Sequence, residues 1–191
     1  MQNNLKVAIT GGIGSGKSVV ASIIAEQGYN VVSCDEIYKN LLQDKNFLKV
    51  LSAEFACVLD GVLDRKKLSK IVFNDAEKLK KLNYLTHPVI MQTALSKMQG
   101  DGINFCEVPL LFEGGYEKLF DKVIVVLRDT AARINSVAVR DNIDVSAVEK
   151  RISNQIDYDN YDFTNYYVLH NNGSIDKLRV DTFQILKNLK N

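Results

Sequence analysis

A glycine-rich stretch near the amino terminus, GGIGSGKS at residues 11–18, has the residue types and spacing to bind phosphate. It fits the pattern G-x-x-x-x-G-K-[ST], whose glycines let successive backbone N–H groups turn toward phosphate oxygens. Lys17 can reach the β- and γ-phosphates of a nucleoside triphosphate, and the Ser18 hydroxyl can bind Mg²⁺. The alternative is a tight strand-to-helix turn with no ligand. An apolar strand before the stretch and a helix after it favour phosphate binding.

The whole phosphate loop, residues 11–18, is therefore expected to bind a nucleoside triphosphate. Its members are Gly11, Gly12, Ile13, Gly14, Ser15, Gly16, Lys17 and Ser18. The D-x-x-G and N-K-x-D motifs that a GTPase needs do not occur, nor does the L-S-G-G-Q signature of transport ATPases. The sequence thus predicts a small transferase with ATP as co-substrate and Mg²⁺ as cofactor.

An aspartate, Asp35, closes the second predicted strand, which spans residues 29–35. In open α/β sheets, ligands bind at the carboxyl ends of the strands. The Asp35 carboxylate can take a proton from an acceptor hydroxyl, or hold the metal through water. It can also cap the helix that follows, because aspartate is a favoured N-cap residue. Position alone leaves these roles open.

Alternating strands and helices position these residues. Strands are predicted at 6–10, 29–35, 104–108, 122–127 and 166–170, with helices at 18–27, ended by Gly28, and at 174–190, capped by Ser174. This order predicts an α/β fold, a three-layer α/β/α arrangement around a parallel sheet of about five strands. Residues 36–100 have the pattern of lysine-rich helices and form an insertion. Pro88 predicts a helix boundary at His87.

Bulk composition excludes several classes of protein. A net charge of +1 gives no support to nucleic-acid binding. No apolar run approaches the roughly 18 residues that span a bilayer, and no signal peptide is recognisable, so we expect a cytoplasmic protein. Three cysteines without a C-x-x-C pair, and two histidines, argue against zinc and for free thiols. We expect a monomer whose partners are small molecules.

The chain resembles the dephospho-CoA kinase family over nearly its whole length. After TGGIGSGKS, the matching segments are VVSCDEIYKNL, LTHPVI at 85–90, VPLLFE at 108–113, RD at 140–141, Gln155 and NNGS at 171–174. The resemblance implies that ATP phosphorylates the ribose 3′-hydroxyl of dephospho-CoA, the last step of coenzyme A synthesis. It also implies a nucleotide-binding core (1–35 and 101–191), a lid around 129–156 and an acceptor-binding insertion (36–100).

The resemblance also assigns roles to single residues. It implies catalytic roles for Asp35, Lys17 and Arg140. It places His87, Pro88, Leu110, Leu111 and Glu113 in or near the acceptor pocket. Asn171 and Gly173 follow the last strand, where an adenine ring can rest against backbone, or where the chain simply turns into a helix. Ser33 and Ser136 replace an aspartate and an arginine of the family pattern, with Arg133 and Arg151 nearby as substitutes for the arginine.

Two other functions remain open from the sequence. One is a nucleoside or nucleoside-monophosphate kinase of the same fold, which would have a different acceptor. The other is a regulatory module that binds nucleotide without transferring phosphate. Asp35 beside the predicted phosphate-loop strand argues against the regulatory module, because binding alone needs no base.

Overall fold

The computed structural model describes residues 4–59, 61–73 and 75–190 of the chain. Its elements in chain order are β1 (Asn4–Thr10), α1 (Lys17–Glu26), β2 (Asn30–Ser33), α2 (Cys34–Leu41), α3 (Lys45–Phe55), β3 (Val58–Leu59), β4 (Val62–Leu63), α4 (Arg65–Phe73), α5 (Ala76–Lys97), β5 (Gly102–Glu107), a 3₁₀ turn (Glu117–Leu119), β6 (Lys122–Leu127), α6 (Thr130–Asp141), α7 (Val145–Ile152), β7 (Tyr167–His170) and α8 (Ile175–Asn188).

The main sheet is parallel and has five strands in the order β2-β5-β1-β6-β7. Central strand β1 pairs Val7 with Phe105 of β5 on one side and with Lys122 of β6 on the other. Its second half is fully buried, and the KVIVVL run of β6 is apolar because helices cover both faces of such a sheet. The predicted α/β fold with a parallel sheet of about five strands is confirmed.

The chain forms two compact units, each with a core of its own. The sheet unit comprises the chain up to Val32 and from Met98 onward, and the helical unit comprises Ser33–Lys97. The core of the sheet unit packs β1, β5 and β6 against α1 and α8. The core of the helical unit is built around Leu51, whose side chain is wholly buried. Each unit thus removes its own apolar surface from water.

The helical unit differs from the sequence prediction in two places. Besides helices it contains a short antiparallel hairpin, in which β3 pairs with β4 around Gly61 at φ 77°. The predicted helix boundary at His87 is wrong, because α5 continues through Pro88. An internal proline costs about 3 kcal/mol, but α5 buries Leu82, Ile90 and other side chains along its length, which offsets that cost.

Several helix ends follow the predictions. Gly28, at φ 82°, stops α1 in the left-handed conformation that glycine adopts without strain. The Ser174 hydroxyl accepts the N–H of Lys177 at 3.3 Å and caps α8.

All three cysteines are buried free thiols, as expected. Within the described residues no helix has the length and apolar character needed to cross a membrane.

Candidate active site

The phosphate loop runs from the end of β1 to the start of α1, as the sequence predicts. Gly14 (φ 77°) and Gly16 (φ 97°) both adopt left-handed backbone conformations. The Lys17 ammonium folds back over the loop and donates to the carbonyl oxygens of Gly11 (2.9 Å) and Gly12 (3.2 Å). A glycine-rich turn with a cation folded over it suits a phosphate chain.

Close packing leaves no room for a side chain at two of the loop glycines. A Cβ on Gly11 would overlap the carbonyl oxygen of Val126, at the end of β6. A Cβ on Gly16 would overlap the side-chain amide of Asn171, just after β7. Glycine at these two positions therefore lets the ends of β6 and β7 approach the loop, and it also lets a ligand approach the backbone.

A carboxylate that the sequence interpretation missed lies beside the loop. The Ser18 hydroxyl donates to Oε1 of Glu107 at 2.6 Å. Glu107 ends β5, the neighbour of β1, and its side chain is largely buried. Its signal in the sequence is an acidic residue at the end of a buried strand, directly after Phe105 and Cys106. The first turn of α1 and the end of β5 thus bring a hydroxyl and a carboxylate together.

The Ser18 and Glu107 oxygens fit a magnesium ion, which takes oxygen ligands and is usually held by one or two carboxylates together with substrate phosphates. Among the described residues, no group of three or more histidines, cysteines, aspartates or glutamates could hold a metal alone. The donor set therefore fits an ion shared with the phosphates of a nucleotide.

The backbone of the loop is held by side chains from the second half of the chain. Arg133 Nε donates to the Ile13 carbonyl at 3.0 Å, and Gln155 Oε1 accepts the Ile13 N–H at 2.8 Å. The Asn171 amide donates to the Ser15 carbonyl at 2.8 Å. Arg128 makes a longer bond of 3.3 Å to the carbonyl of Gly14. The loop shape is thus supported from outside the motif.

Arg133 is buried beside the phosphate loop. Its side chain is 3% exposed, and burial lowers the pKa of its guanidinium. The guanidinium lies 5.9 Å from the centre of the Tyr158 ring, which contributes a cation–π contact. Burial, and then the nearby Glu113 carboxylate, raise the pKa of the Tyr158 hydroxyl. Arg133 thus supports the phosphate loop.

Arg140 lies at the end of α6, in an ion-pair cluster centred on Asp141. Arg140 Nε is 2.8 Å from Oδ1 of Asp141, and Arg151 of α7 lies 2.7 Å from Oδ2. Hydrogen bonds from the two arginines, that of Arg140 first, lower the pKa of the Asp141 carboxyl. The cluster joins the C-terminal ends of α6 and α7 and leaves both arginines largely exposed.

The VPLLFE segment after β5 combines an unusual backbone with aromatic packing. Leu110 has φ 55°, a left-handed conformation that is rare for a side chain of this kind and often marks functional sites. Leu111 is fully buried, and Glu113 Oε1 accepts the N–H of Ile156 at 3.0 Å. Phe112 packs against the tyrosine-rich segment that follows α7, through Tyr161, Phe163 and Tyr166.

Three predicted site residues lie in the helical unit. Asp35 is exposed in the first turn of α2. The cap of that helix is Ser33, whose hydroxyl accepts the N–H of Glu36 at 3.3 Å, so the alternative role of Asp35 as the cap is wrong. His87 and Pro88 lie within α5, and burial lowers the pKa of His87. In the sheet unit, Asn171 and Gly173 lie between β7 and α8.

A parallel sheet whose central strand ends in a phosphate loop, with a serine–carboxylate pair beside it, defines a nucleoside triphosphate-binding protein of the P-loop class. The model of the dephospho-CoA kinase family matches residues 5–177. The chain belongs to the dephospho-CoA kinase family.

Individual relatives agree with the family assignment. A dephospho-CoA kinase from Fusobacterium nucleatum is 36% identical over 177 residues, covering 90% of this chain and 92% of that protein. The crystal structure of a Thermus thermophilus protein superposes with a TM-score of 0.84 at 30% identity, over 97% of both chains. A dephospho-CoA kinase from Campylobacter jejuni gives a TM-score of 0.67 at 29% identity, over 96% of both chains.

Proposed function

We propose that this chain transfers the γ-phosphoryl group of ATP to the 3′-hydroxyl of the ribose of dephospho-CoA, giving coenzyme A and ADP. The observation that carries the proposal is the family match over residues 5–177, which includes the phosphate loop with its Ser18–Glu107 pair. Phosphoryl transfer depends mainly on positioning and charge stabilisation, which such a loop supplies.

On the nucleotide side, the loop amides and the amino end of α1 bind the phosphates. Lys17 exchanges its two neutral carbonyl partners, Gly11 and Gly12, for phosphate oxygens, because hydrogen bonds between charged groups are about twice as strong. Ser18 and Glu107 would hold Mg²⁺, which neutralises charge on the phosphates when it is bound. The loop thus orients the γ-phosphoryl group and stabilises the charge that it carries during transfer.

On the acceptor side, Asp35 acts as the general base. The ribose 3′-oxygen attacks the γ-phosphorus, the bond from that phosphorus to the β–γ bridging oxygen breaks, and the hydroxyl proton passes to the Asp35 carboxylate. ADP leaves with the electron pair of the broken bond. The exposed position of Asp35 in the first turn of α2, with capping done by Ser33, supports this role.

The two compact units support a model in which ATP and the acceptor bind to different units. The helical unit, Ser33–Lys97, binds the long acceptor, since it has a core of its own and many surface lysines for a pyrophosphate. The pair α6–α7 acts as the lid and brings Arg140 to the phosphates. An exposed arginine near the end of a helix pair suits that task.

An acceptor screen tests the proposal. The purified chain is incubated with ATP, Mg²⁺ and either dephospho-CoA or a nucleoside monophosphate, and products are identified by mass spectrometry. We expect one phosphate to be added to dephospho-CoA at the 3′-position. AMP, CMP and UMP should be poorer by at least about 10²-fold in kcat/KM, because they lack the pantetheine arm and its binding energy.

Two results would redirect the proposal. Rapid conversion of a nucleoside monophosphate to its diphosphate, with dephospho-CoA unchanged, would identify a nucleoside-monophosphate kinase. ATP binding without ADP release in the presence of every acceptor would indicate a regulatory module.

A further inference from the structure

The tip of the phosphate loop carries hydrogen bonds on three consecutive carbonyl oxygens, at residues 13, 14 and 15. The two shorter bonds come from Arg133 Nε to Ile13 (3.0 Å) and from the Asn171 amide to Ser15 (2.8 Å). The two donors come from distant parts of the chain, Arg133 from α6 and Asn171 from the residue after β7. They contact backbone atoms that a bound phosphate would repel, since carbonyl oxygens carry partial negative charge.

A planar trans peptide links the direction of each carbonyl to that of the next N–H, because the two point in opposite directions. A donor that binds the Ile13 carbonyl therefore turns the Gly14 N–H to the side opposite that donor. A donor on the Ser15 carbonyl does the same for the Gly16 N–H. The Ser15 N–H instead closes a turn onto the carbonyl of Gly12, at 3.1 Å.

From this geometry, and resting on the proposed function, we propose that Arg133 and Asn171 are positioning residues that aim the N–H groups of Gly14 and Gly16 at the phosphates of ATP. Neither side chain acts as a phosphate ligand. Gln155 supports the same arrangement by accepting the Ile13 N–H, so that both polar groups of Ile13 are fixed.

The packing of the loop agrees with this role. A Cβ on Gly14 would lie 2.7 Å from the Arg133 carbonyl oxygen, and a Cβ on Gly12 would lie 2.5 Å from the Arg133 guanidinium. The Arg133 side chain is buried, with 3% of its surface exposed. The two segments interlock, and this packing restricts the loop backbone. A restricted loop binds more tightly, because it loses less conformational freedom on binding.

Two substitutions at Arg133 separate positioning from direct charge. Arg133→Gln removes the charge, but its amide nitrogen stands the same number of bonds from Cα as the Nε that contacts Ile13. Arg133→Met removes both the charge and the donor at similar length. Inorganic tripolyphosphate serves as the probe, because it binds the loop through phosphates alone, and its affinity is measured by calorimetry.

We expect Arg133→Met to weaken tripolyphosphate binding about tenfold, equivalent to about 1.4 kcal/mol, with Arg133→Gln recovering most of the loss. Arg179→Met is the control for net charge. Arg179 lies on α8, in an exposed ion pair with Glu26 of α1, and its replacement should change the affinity for tripolyphosphate less than about twofold. If Arg133→Gln binds as weakly as Arg133→Met, the arginine acts through its charge and the proposal is wrong.

A second pair of variants decides the matter if Arg133 variants do not fold. Asn171→Ala removes the donor to Ser15, whereas Asn172→Ala removes a neighbouring asparagine whose side chain pairs with Asp129. Only Asn171→Ala should weaken tripolyphosphate, and its Gly16 amide should lose the shift on binding that the wild type shows in ¹⁵N NMR spectra. Equal affinities for both variants would overturn the proposal.

The proposed function and this inference fail separately. A wild-type chain that binds tripolyphosphate with the expected pattern, but does not phosphorylate dephospho-CoA, overturns the function and leaves the positioning role in place. A wild type that phosphorylates dephospho-CoA, with variants that bind tripolyphosphate normally, overturns the positioning role alone.

Discussion

Lys17 bonds to its own loop through two carbonyl oxygens, so it is in place to meet phosphates without a large movement. We expect Lys17→Ala to abolish measurable phosphoryl transfer, because the cation that meets the β- and γ-phosphates is lost. The fold should persist, since the loop backbone is held by Arg133, Gln155 and Asn171. Steady-state ADP release and circular dichroism measure the two effects. Lys187→Ala, at an exposed position in the last turn of α8, is the control.

Asp35 and its neighbour Glu36 form a matched pair of acidic residues in the first turn of α2. We expect Asp35→Asn to lower kcat by at least about 10²-fold, the lower range for loss of a general base, with little effect on ATP affinity. Glu36→Gln removes a charge from the same turn and should leave kcat within about twofold. If both variants are equally active, Asp35 is not the base.

Glu107 and Ser18 lie side by side and offer two oxygen ligands to a metal ion. We expect Glu107→Gln to raise the Mg²⁺ concentration for half-maximal activity about tenfold or more, since an amide oxygen replaces a carboxylate at a hard cation. Saturating Mg²⁺ should recover part of the rate. Titrations with Mg²⁺ at fixed ATP measure the shift. A Mg²⁺ dependence identical to that of the wild type would exclude Glu107 as a ligand.

At the scale of single residues, the sequence predicts sites formed by consecutive positions and misses contacts between positions far apart in the chain. The phosphate loop occupies eight consecutive residues, so its spacing is enough to identify it. Arg133 and Gln155 contact Ile13 across 120 and 142 residues of chain. No periodicity or spacing connects positions so far apart, and only the folded sheet brings them together.

At the scale of elements, the boundaries set by glycine or by a capping serine were predictable, because Gly28 and Ser174 act through their own backbone and hydroxyl. Pro88 was misleading for the opposite reason. Its local preference for a helix start is outweighed by the apolar side chains that α5 buries on both sides of it. Tertiary packing therefore decides where a local signal is weak or contradicted.

The helices α6 and α7 carry the arginine that is expected to meet the nucleotide only after closure. We expect Arg140→Ala to lower kcat and to raise KM for ATP, with acceptor affinity unchanged. Arg179→Ala, on α8, removes an arginine from another exposed ion pair and should leave both constants unchanged. Kinetics with ATP as the varied substrate, and calorimetry with dephospho-CoA alone, separate the two effects. A loss of acceptor affinity with normal ATP kinetics would place Arg140 elsewhere.

At the scale of the whole molecule, two cores in one chain predict that the two substrates protect different units. ATP should protect amides of the sheet unit from hydrogen exchange, above all at residues 11–18, while dephospho-CoA alone should protect amides within Ser33–Lys97. Binding stabilises the state that holds the ligand, by about 2.7 kcal/mol at a ligand concentration of 100 Kd, which is enough for a clear change in exchange rates. Lys17→Ala serves as the control, because it should lose the protection by ATP and keep the protection by dephospho-CoA. If dephospho-CoA protects amides of the sheet unit alone, the helical unit is not the acceptor-binding unit.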